Sequence, residues 1–187
     1  SAPQCHELTP EVVPGSRVGP AIAYHAGQDK VFMFSGAGSA EAASGFLQPH
    51  SDVWQWDGLS WRAVNIAGTN PAARIGTAFQ YDAARDQALL FGGLTGVSQN
   101  DLWGFDGVEW TQIYTTNKPI KRYVPGSTYD TRRGWLIVFG GRDLGNGDEY
   151  MYNDLWAFDG TDWQLLHDGS GTAPSPRAAA SITYDEE

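Results

Sequence analysis

The stretch DLWGFDGVEW, residues 101–110, decides the fold, because the same pattern occurs three times in this chain of 187 residues. The other two copies are DVWQWDGLSW at 52–61 and DLWAFDGTDW at 154–163. In each copy two aromatic residues lie two positions apart, which places them on one face of a strand. The Asp-Gly that follows favours the positive φ angles of a tight hairpin turn. The stretch therefore predicts two antiparallel strands joined by a short turn.

Two further elements precede each copy. The nearer one is an apolar run that ends in small residues: VFMFSG at 31–36, LLFGG at 89–93 and LIVFGG at 136–141. Because the run is apolar at consecutive positions, it predicts a strand that is covered on both faces. The more distant element runs from an Arg to a Tyr, at 17–24, 74–81 and 122–129, and predicts the first strand of each unit. A fourth copy of this element alone occupies 177–184.

Each unit is thus predicted to form four short strands, and the units recur about every 50 residues. An apolar run, a diglycine and two aromatics at fixed separation resemble the kelch repeat, and the resemblance covers residues 17–187. In detail the pattern looks like the kelch repeats of bacterial secreted proteins, although Ser35-Gly36 replaces the diglycine in the first unit.

The resemblance implies an all-β fold of kelch-type β-propeller blades. Three four-stranded blades plus one extra inner strand are too few to close a ring, since closed propellers use 4–8 blades. We therefore expect part of a larger propeller of 6–8 blades, or a ring completed by further blades or by a second copy of the chain. The predicted divisions are a lead segment at 1–16, blades at 17–66, 67–115 and 116–167, and a linker with the first strand of a fourth blade at 168–187.

The amino-acid composition limits the classes of partner that this chain can bind. Twelve Lys and Arg against 22 Asp and Glu leave a formal charge of −10, which argues against nucleic acid and anionic membranes. The sequence shows no apolar run long enough for a transmembrane helix.

Cys5 is the single cysteine, so no intrachain disulfide is expected. The resemblance, together with a Ser-Ala-Pro start compatible with processing, predicts an extracellular or periplasmic location.

No catalytic residues are predicted. The four histidines are scattered without metal-ligand spacing, and no nucleophile lies near a matching His and acid. Some kelch propellers are copper-radical oxidases or sugar epimerases, but the copper enzymes need a cysteine linked to a tyrosine, and Cys5 lies outside the blades. We therefore expect a non-catalytic scaffold that binds a protein or glycan through loops at the channel mouth. The alternatives are a segment of a larger propeller enzyme whose catalytic residues lie elsewhere, and a structural subunit of an extracellular assembly.

The candidate ligand-binding residues are the arginines that begin each inner strand: Arg17, Arg74, Arg122 and Arg177. Inner strands line the channel of a propeller, so these side chains are expected to form a partial ring at one mouth. By resemblance, some kelch domains bind acidic peptides with arginines at this position, and a guanidinium also suits acidic sugars. The competing interpretation is structural: each Arg bonds inter-blade carbonyls or the repeated Asp. The loops at 37–50, 94–100 and 142–153 differ most, as recognition loops do.

One acidic, glycine-rich loop is a weaker candidate for a metal site. It contains four residues with oxygen ligands that suit Ca²⁺: Asp143, Asn146, Asp148 and Glu149. The alternative is a solvated acidic loop, and no other cofactor is expected. The repeated Asp52, Asp101 and Asp154 are interpreted as structural acceptors of backbone N–H groups at a strand start. The second tryptophans, Trp61, Trp110 and Trp163, are interpreted as packing between blades.

Overall fold

The computed structural model describes residues 13–38, 48–145 and 149–186. Fifteen strands are present among these described residues: β1 (Arg17–Val18), β2 (Ala21–His25), β3 (Lys30–Phe34), β4 (Ala37–Gly38), β5 (Gln48–Pro49), β6 (Val53–Trp56), β7 (Trp61–Val64), β8 (Ala78–Asp82), β9 (Gln87–Phe91), β10 (Leu102–Phe105), β11 (Trp110–Ile113), β12 (Gly126–Asp130), β13 (Trp135–Leu144), β14 (Glu149–Phe158) and β15 (Trp163–His167). Within the same ranges no helix is found that could span a membrane.

The strands form three four-stranded antiparallel sheets, one for each sequence unit. Blade 1 has the order β2-β3-β6-β7, blade 2 the order β8-β9-β10-β11, and blade 3 the order β12-β13-β14-β15. A small sheet, β1-β4-β5, accompanies blade 1. The predicted all-β fold of kelch-type blades is confirmed, and the propeller formed by these three blades is not closed.

The Asp-Gly pairs make the predicted hairpin turns between the third and fourth strands. In blade 2, one carboxylate oxygen of Asp106 accepts hydrogen bonds from the backbone N–H groups of Val108 and Glu109, each 2.8 Å long. Gly107 has a φ of +97°, a value that side chains other than glycine rarely adopt. The turn is therefore encoded locally, by one side-chain acceptor and one flexible residue.

The core lies between the blades. Alternate residues of β9 face opposite ways: Ala88 and Leu90 pack towards blade 1, whereas Leu89 and Phe91 pack towards blade 3. All four side chains are fully buried. This confirms that the apolar run forms a strand covered on both faces.

The second tryptophan of a blade packs on the preceding blade, as predicted for blades 2 and 3. The ring centroid of Trp110 lies 5.0 Å from that of Phe34, and that of Trp163 lies 4.8 Å from that of Phe91. Each tryptophan therefore fills the face that a phenylalanine of the previous apolar run presents. Aromatic pairs in such tilted contacts add to the stability that burial alone provides.

The arginines lie outside the inner strands, so the prediction that the first strand begins at the Arg is wrong. The inner strands β2, β8 and β12 begin four residues after their arginines. The cause is a backbone φ between +45° and +65° two residues after each Arg, at Gly19, Gly76, Val124 and Ala179. A left-handed residue interrupts the extended backbone, so no strand can run through it.

These left-handed residues connect consecutive blades through their backbones. The N–H of Val124 donates to the carbonyl of Gly76 at 2.6 Å, and the N–H of Ala179 donates to the carbonyl of Val124 at 2.8 Å. Gly76 makes the corresponding, longer contact of 3.5 Å to Gly19. Each interface between two blades therefore has one such backbone bond on its inner side, and the bond from Ala179 repeats it on the far side of blade 3.

Candidate functional site

The candidate site is the end of the blades where the four arginines lie, called here the arginine end. In blade 3 the guanidinium of Arg122 makes a bidentate bond to Asp154: Nη1 donates to Oδ1 at 2.6 Å and Nη2 to Oδ2 at 2.8 Å. Nη1 also donates to the carbonyl of Gly140, and Nε donates to that of Ile120. Four N–H groups of Arg122 are therefore used within its own blade.

The same arrangement occurs in the other two blades. Arg74 bonds both oxygens of Asp101 and the carbonyls of Gly92 and Ala72. Arg17 bonds both oxygens of Asp52 and the carbonyls of Ser35 and Gly15. The side chains of the three arginines are between 0% and 5% exposed. This geometry supports the structural interpretation of these three residues, and ligand binding by them stays a prediction.

Each repeated Asp also accepts the indole N–H of the first tryptophan of its blade. Trp103 Nε1 lies 2.7 Å from Asp101 Oδ2, and Trp156 Nε1 lies 2.8 Å from Asp154 Oδ2. Burial alone acts to raise the pKa of Asp101, but the bonds from Arg74 and Trp103 outweigh it and hold that pKa below its ordinary value. The Asp is thus structural, as predicted, but its main partners are side chains and not backbone N–H groups.

Arg177 differs from the other three arginines because its side chain is exposed. It donates from Nε to the carbonyl of Ser175 and from Nη2 to the hydroxyl of the same residue. Among the described residues no Asp bonds this side chain, whereas in the three blades the paired Asp follows the Arg by 27 to 35 residues. Arg177 therefore has the guanidinium of the motif without the carboxylate.

The diglycines allow the next blade to approach closely. A Cβ placed on Gly92 would lie 2.7 Å from the backbone oxygen of Arg122, which is too close for two nonbonded atoms. Ser35, at the position of Gly92 in blade 1, adopts a φ of +58°, and its hydroxyl accepts from the N–H of Arg74 at 2.9 Å. The hydroxyl takes the place of a direct backbone contact, which explains how the first unit departs from the diglycine pattern.

The predicted loop at 142–153 is largely a β-hairpin. Strands β13 and β14 continue the blade outward, pairing Arg142 with Met151 and Asp143 with Tyr150. Sequence reasoning missed this extension, because glycines and acidic residues in a row indicate a loop. The hairpin projects from the arginine end and exposes apolar side chains there.

The weaker calcium site is described only in part. Asp143 is buried, and its Oδ2 lies 3.8 Å from Lys121 Nζ, so a cation of the chain already stands beside this carboxylate. Asn146, Asp148 and the side chain of Glu149 lie outside the described residues. Over the ranges that the structure covers, no group of three His, Cys, Asp or Glu residues is arranged to hold a metal.

Several large apolar side chains are exposed at the arginine end. Sequence reasoning did not identify them, because whether a single apolar residue is buried depends on its packing against distant residues. They are Val18 in β1, Val97 on a short loop, Ile120 ahead of blade 3, and Leu144, Tyr150 and Met151 on the hairpin. The hairpin is tied to blade 2, since the N–H of Leu144 donates to the hydroxyl of Ser98 at 3.3 Å. The arginine end thus presents apolar groups on connected, hydrogen-bonded segments.

Comparison with known proteins bears on location as well as family. The chain is 35% identical over 103 residues to dynein regulatory complex subunit 7 from Chlamydomonas reinhardtii, a match that covers 51% of this chain and 9% of that protein. Dynein motors act inside cells, so this finding contradicts the expectation of an extracellular or periplasmic location.

The family comparison agrees with the blade architecture. A family model described as the KLHDC2/KLHL20/DRC7 Kelch-repeats domain matches residues 22–187. The finer resemblance to kelch repeats of bacterial secreted proteins does not emerge from either comparison. The repeated sheets, the diglycine contacts and this match together show that the chain belongs to the family of kelch-repeat domains.

Proposed function

We propose that this kelch domain is a non-catalytic scaffold that binds a protein partner at its arginine end. The observation that supports this most is the set of exposed apolar side chains there, with Tyr150 and Met151 about half exposed at 55% and 47%. Aromatic residues and methionine are enriched in protein interfaces, whereas charged residues are depleted from their centres. Hydrogen bonds between loops and blades hold these groups in place, which reduces the entropy lost on binding.

A protein partner suits this surface better than an acidic glycan does. A sulfated or carboxylated sugar needs exposed guanidinium or ammonium groups, and Arg17, Arg74 and Arg122 use theirs within the blades. Arg177 and Lys121 are exposed cations at the arginine end, and Lys121 Nζ lies 3.8 Å from Oδ2 of Asp143. Calcium binding at 143–149 stays a separate prediction, tested by a rise in Tm on adding millimolar Ca²⁺.

The similar protein named above is a subunit of a dynein regulatory complex, which suggests that a large protein assembly provides the partner. The match spans 9% of that protein's length, so this partner is part of the proposal. A complete ring of 6–8 blades belongs to the proposal as well, because the propeller platform would then present the loops of all blades on one side.

A crosslinking experiment tests the binding surface. The double variant Tyr150→Ser and Met151→Ser removes two exposed apolar groups at the arginine end. Its matched control is Leu59→Ser with Val108→Ser, because those side chains are also exposed but lie in the Asp-Gly turns at the opposite end. We expect protein crosslinks in cells to be lost in the first variant and retained in the control. Crosslinks that survive the first variant, or that vanish equally in both, would contradict the proposal.

A further inference from the structure

The segment between β15 and Arg177 carries a hydroxyl group at a position where the other copies of the motif have none. In all four copies the arginine Nε donates to the carbonyl of the residue two positions earlier, which is Gly15, Ala72, Ile120 or Ser175. These four residues are exposed, although the arginines that follow Ala72 and Ile120 are buried. The position of Ser175 is therefore one that stays open to solvent whether or not its arginine is buried.

The backbone around Ser175 is extended and exposed. Pro174 precedes Ser175 and Pro176 follows it, and a residue before a proline is confined to extended conformations. Residues 173–177 accordingly form neither strand, turn nor bend, and each of 174–177 is exposed. Two contacts to β14 hold the ends of this stretch: Asn153 Nδ2 donates to the carbonyl of Pro174, and the N–H of Arg177 donates to the carbonyl of Tyr152, both at 3.0 Å. Ser175 is thus presented on a short extended stretch that is anchored on each side.

The hydroxyl of Ser175 lies beside a guanidinium group that can bind an anion. Arg177 Nη2 donates to Ser175 Oγ at 2.9 Å, and within the described part of the chain no acceptor bonds its Nη1. A guanidinium is planar and can bond two oxygens of one phosphate group. A phosphate ester on Oγ would therefore place its oxygens within bonding reach of Arg177. Asp168 is the one acidic residue of 168–178, and its carboxylate accepts from the N–H of Ser170 within its own turn.

We propose that Ser175 is a phosphorylation site for a kinase that requires proline after the serine, and that Arg177 binds the resulting phosphate. In the transfer the hydroxyl oxygen of Ser175 forms a bond to the γ-phosphorus of Mg²⁺-bound ATP. The bond from that phosphorus to the bridging oxygen breaks, ADP leaves with the electron pair, and a carboxylate of the kinase takes the hydroxyl proton. Phosphorylation at this position does not depend on the proposed partner site.

The phosphate changes how firmly the segment is held. It brings about −1.5 to −2 charges at pH 7, and a phosphate opposite an arginine can order a loop through charge-assisted hydrogen bonds. Such bonds are stronger than the present bonds from Arg177 to the neutral oxygens of Ser175. We therefore expect the amides of 168–178 to exchange their hydrogens several-fold more slowly after phosphorylation. We also expect a lowered second pKa of the phosphate, because the nearby guanidinium favours its doubly charged form.

The first test asks whether the folded chain is a substrate. The protein is incubated with Mg²⁺, ATP and an excess of a purified proline-directed Ser/Thr kinase, and the phosphate is located by peptide mass spectrometry. We expect modification at Ser175 and its loss in Ser175→Ala. Thr9→Ala is the control, because Thr9 is the other hydroxyl residue that precedes a proline in the sequence, and this variant is expected to leave modification at Ser175 unchanged. A folded chain that gains no phosphate at Ser175 would overturn the proposal.

The second test asks whether Arg177 binds the phosphate. Arg177→Gln removes the charge beside Ser175, and Arg132→Gln is the matched control, because it removes an exposed arginine from the turn after β12. Titration by phosphorus NMR is expected to give a second pKa roughly 0.5 higher in phosphorylated Arg177→Gln than in the phosphorylated unmodified sequence, and no change in Arg132→Gln. The slowing of amide exchange at 168–178 is expected to be lost in Arg177→Gln alone. Equal pKa values in the three phosphorylated chains, or equal exchange, would contradict the role of Arg177.

Discussion

Replacing Arg122 by alanine tests the central structural conclusion, that the repeated arginines hold the blades together internally. The side chain is fully buried and donates to both oxygens of Asp154 and to two backbone carbonyls. The variant leaves that carboxylate with the indole N–H of Trp156 as its remaining side-chain donor. It also leaves two carbonyls without their donor and opens a cavity.

The magnitude follows from these losses. Removing one partner of a buried ion pair costs about 3–5 kcal/mol, because the other charge stays buried without compensation. In a domain of this size 1 kcal/mol corresponds to about 2–4 °C in Tm, so Arg122→Ala is expected to lower the Tm by roughly 10 °C. Arg122→Lys is expected to recover only part of this, since an ammonium group cannot bond both carboxylate oxygens and two carbonyls in the planar geometry of a guanidinium.

The assay is thermal and urea unfolding followed by circular dichroism. Arg177→Ala is the matched control, because this residue has the same place in the motif but an exposed side chain with contacts only to Ser175. Its Tm is expected to stay close to that of the unmodified chain. Equal and small effects of the two alanine variants would refute the structural role and would favour ligand binding as the reason for the repeated arginine.

Three further predictions follow from individual residues. The pKa of Asp101 is held below its ordinary value, so the stability that its charged form provides is complete at neutral pH and is lost as the pH falls below about 4. The difference in unfolding free energy between the unmodified chain and Asp101→Asn should therefore shrink between pH 7 and about pH 3, as measured by urea unfolding. Gly140→Ala should lower the free energy of unfolding by about 2 kcal/mol, because the added Cβ would lie 2.6 Å from a backbone oxygen. Gly171→Ala should lower it by less in the same assay, because the space around Gly171 is open. Burial and the hydrogen bond to Asp82 raise the pKa of Tyr129, so the stability that this phenol provides is complete below about pH 10 and is lost above it. The variant Tyr129→Phe should therefore lose less stability at alkaline pH, as measured by unfolding near pH 11.

The sequence predicted the blades because their signals are local and repeated. Consecutive apolar residues such as Leu89 and Leu90 require cover on both sides of a strand, and Asp106-Gly107 requires a turn, wherever the strand lies. Three copies at similar spacing then indicate that neighbouring units provide the cover. The packing of Trp110 and Trp163 on the preceding blades followed from the same reasoning and is confirmed.

The site was harder to predict, because its geometry depends on contacts between distant residues. The pairing of Arg74 with Asp101 joins positions 27 residues apart, and both the ligand and the structural interpretation were compatible with the pattern. The positive φ of Val124 has no signal in the sequence, since a β-branched residue rarely adopts it. The outward extension of β13 and β14 was likewise hidden by the glycines within it.

The sequence by itself determined the repeat and the four strands of each of the three blades, because periodicity and turn chemistry act within one unit. Only the tertiary structure decided which internal partners the arginines bond. An Arg side chain can bond an external carboxylate or an internal one, and the choice depends on whether the loops bring an Asp and two carbonyls within reach of its guanidinium. In three blades they do, and at Arg177 the described residues provide no such carboxylate.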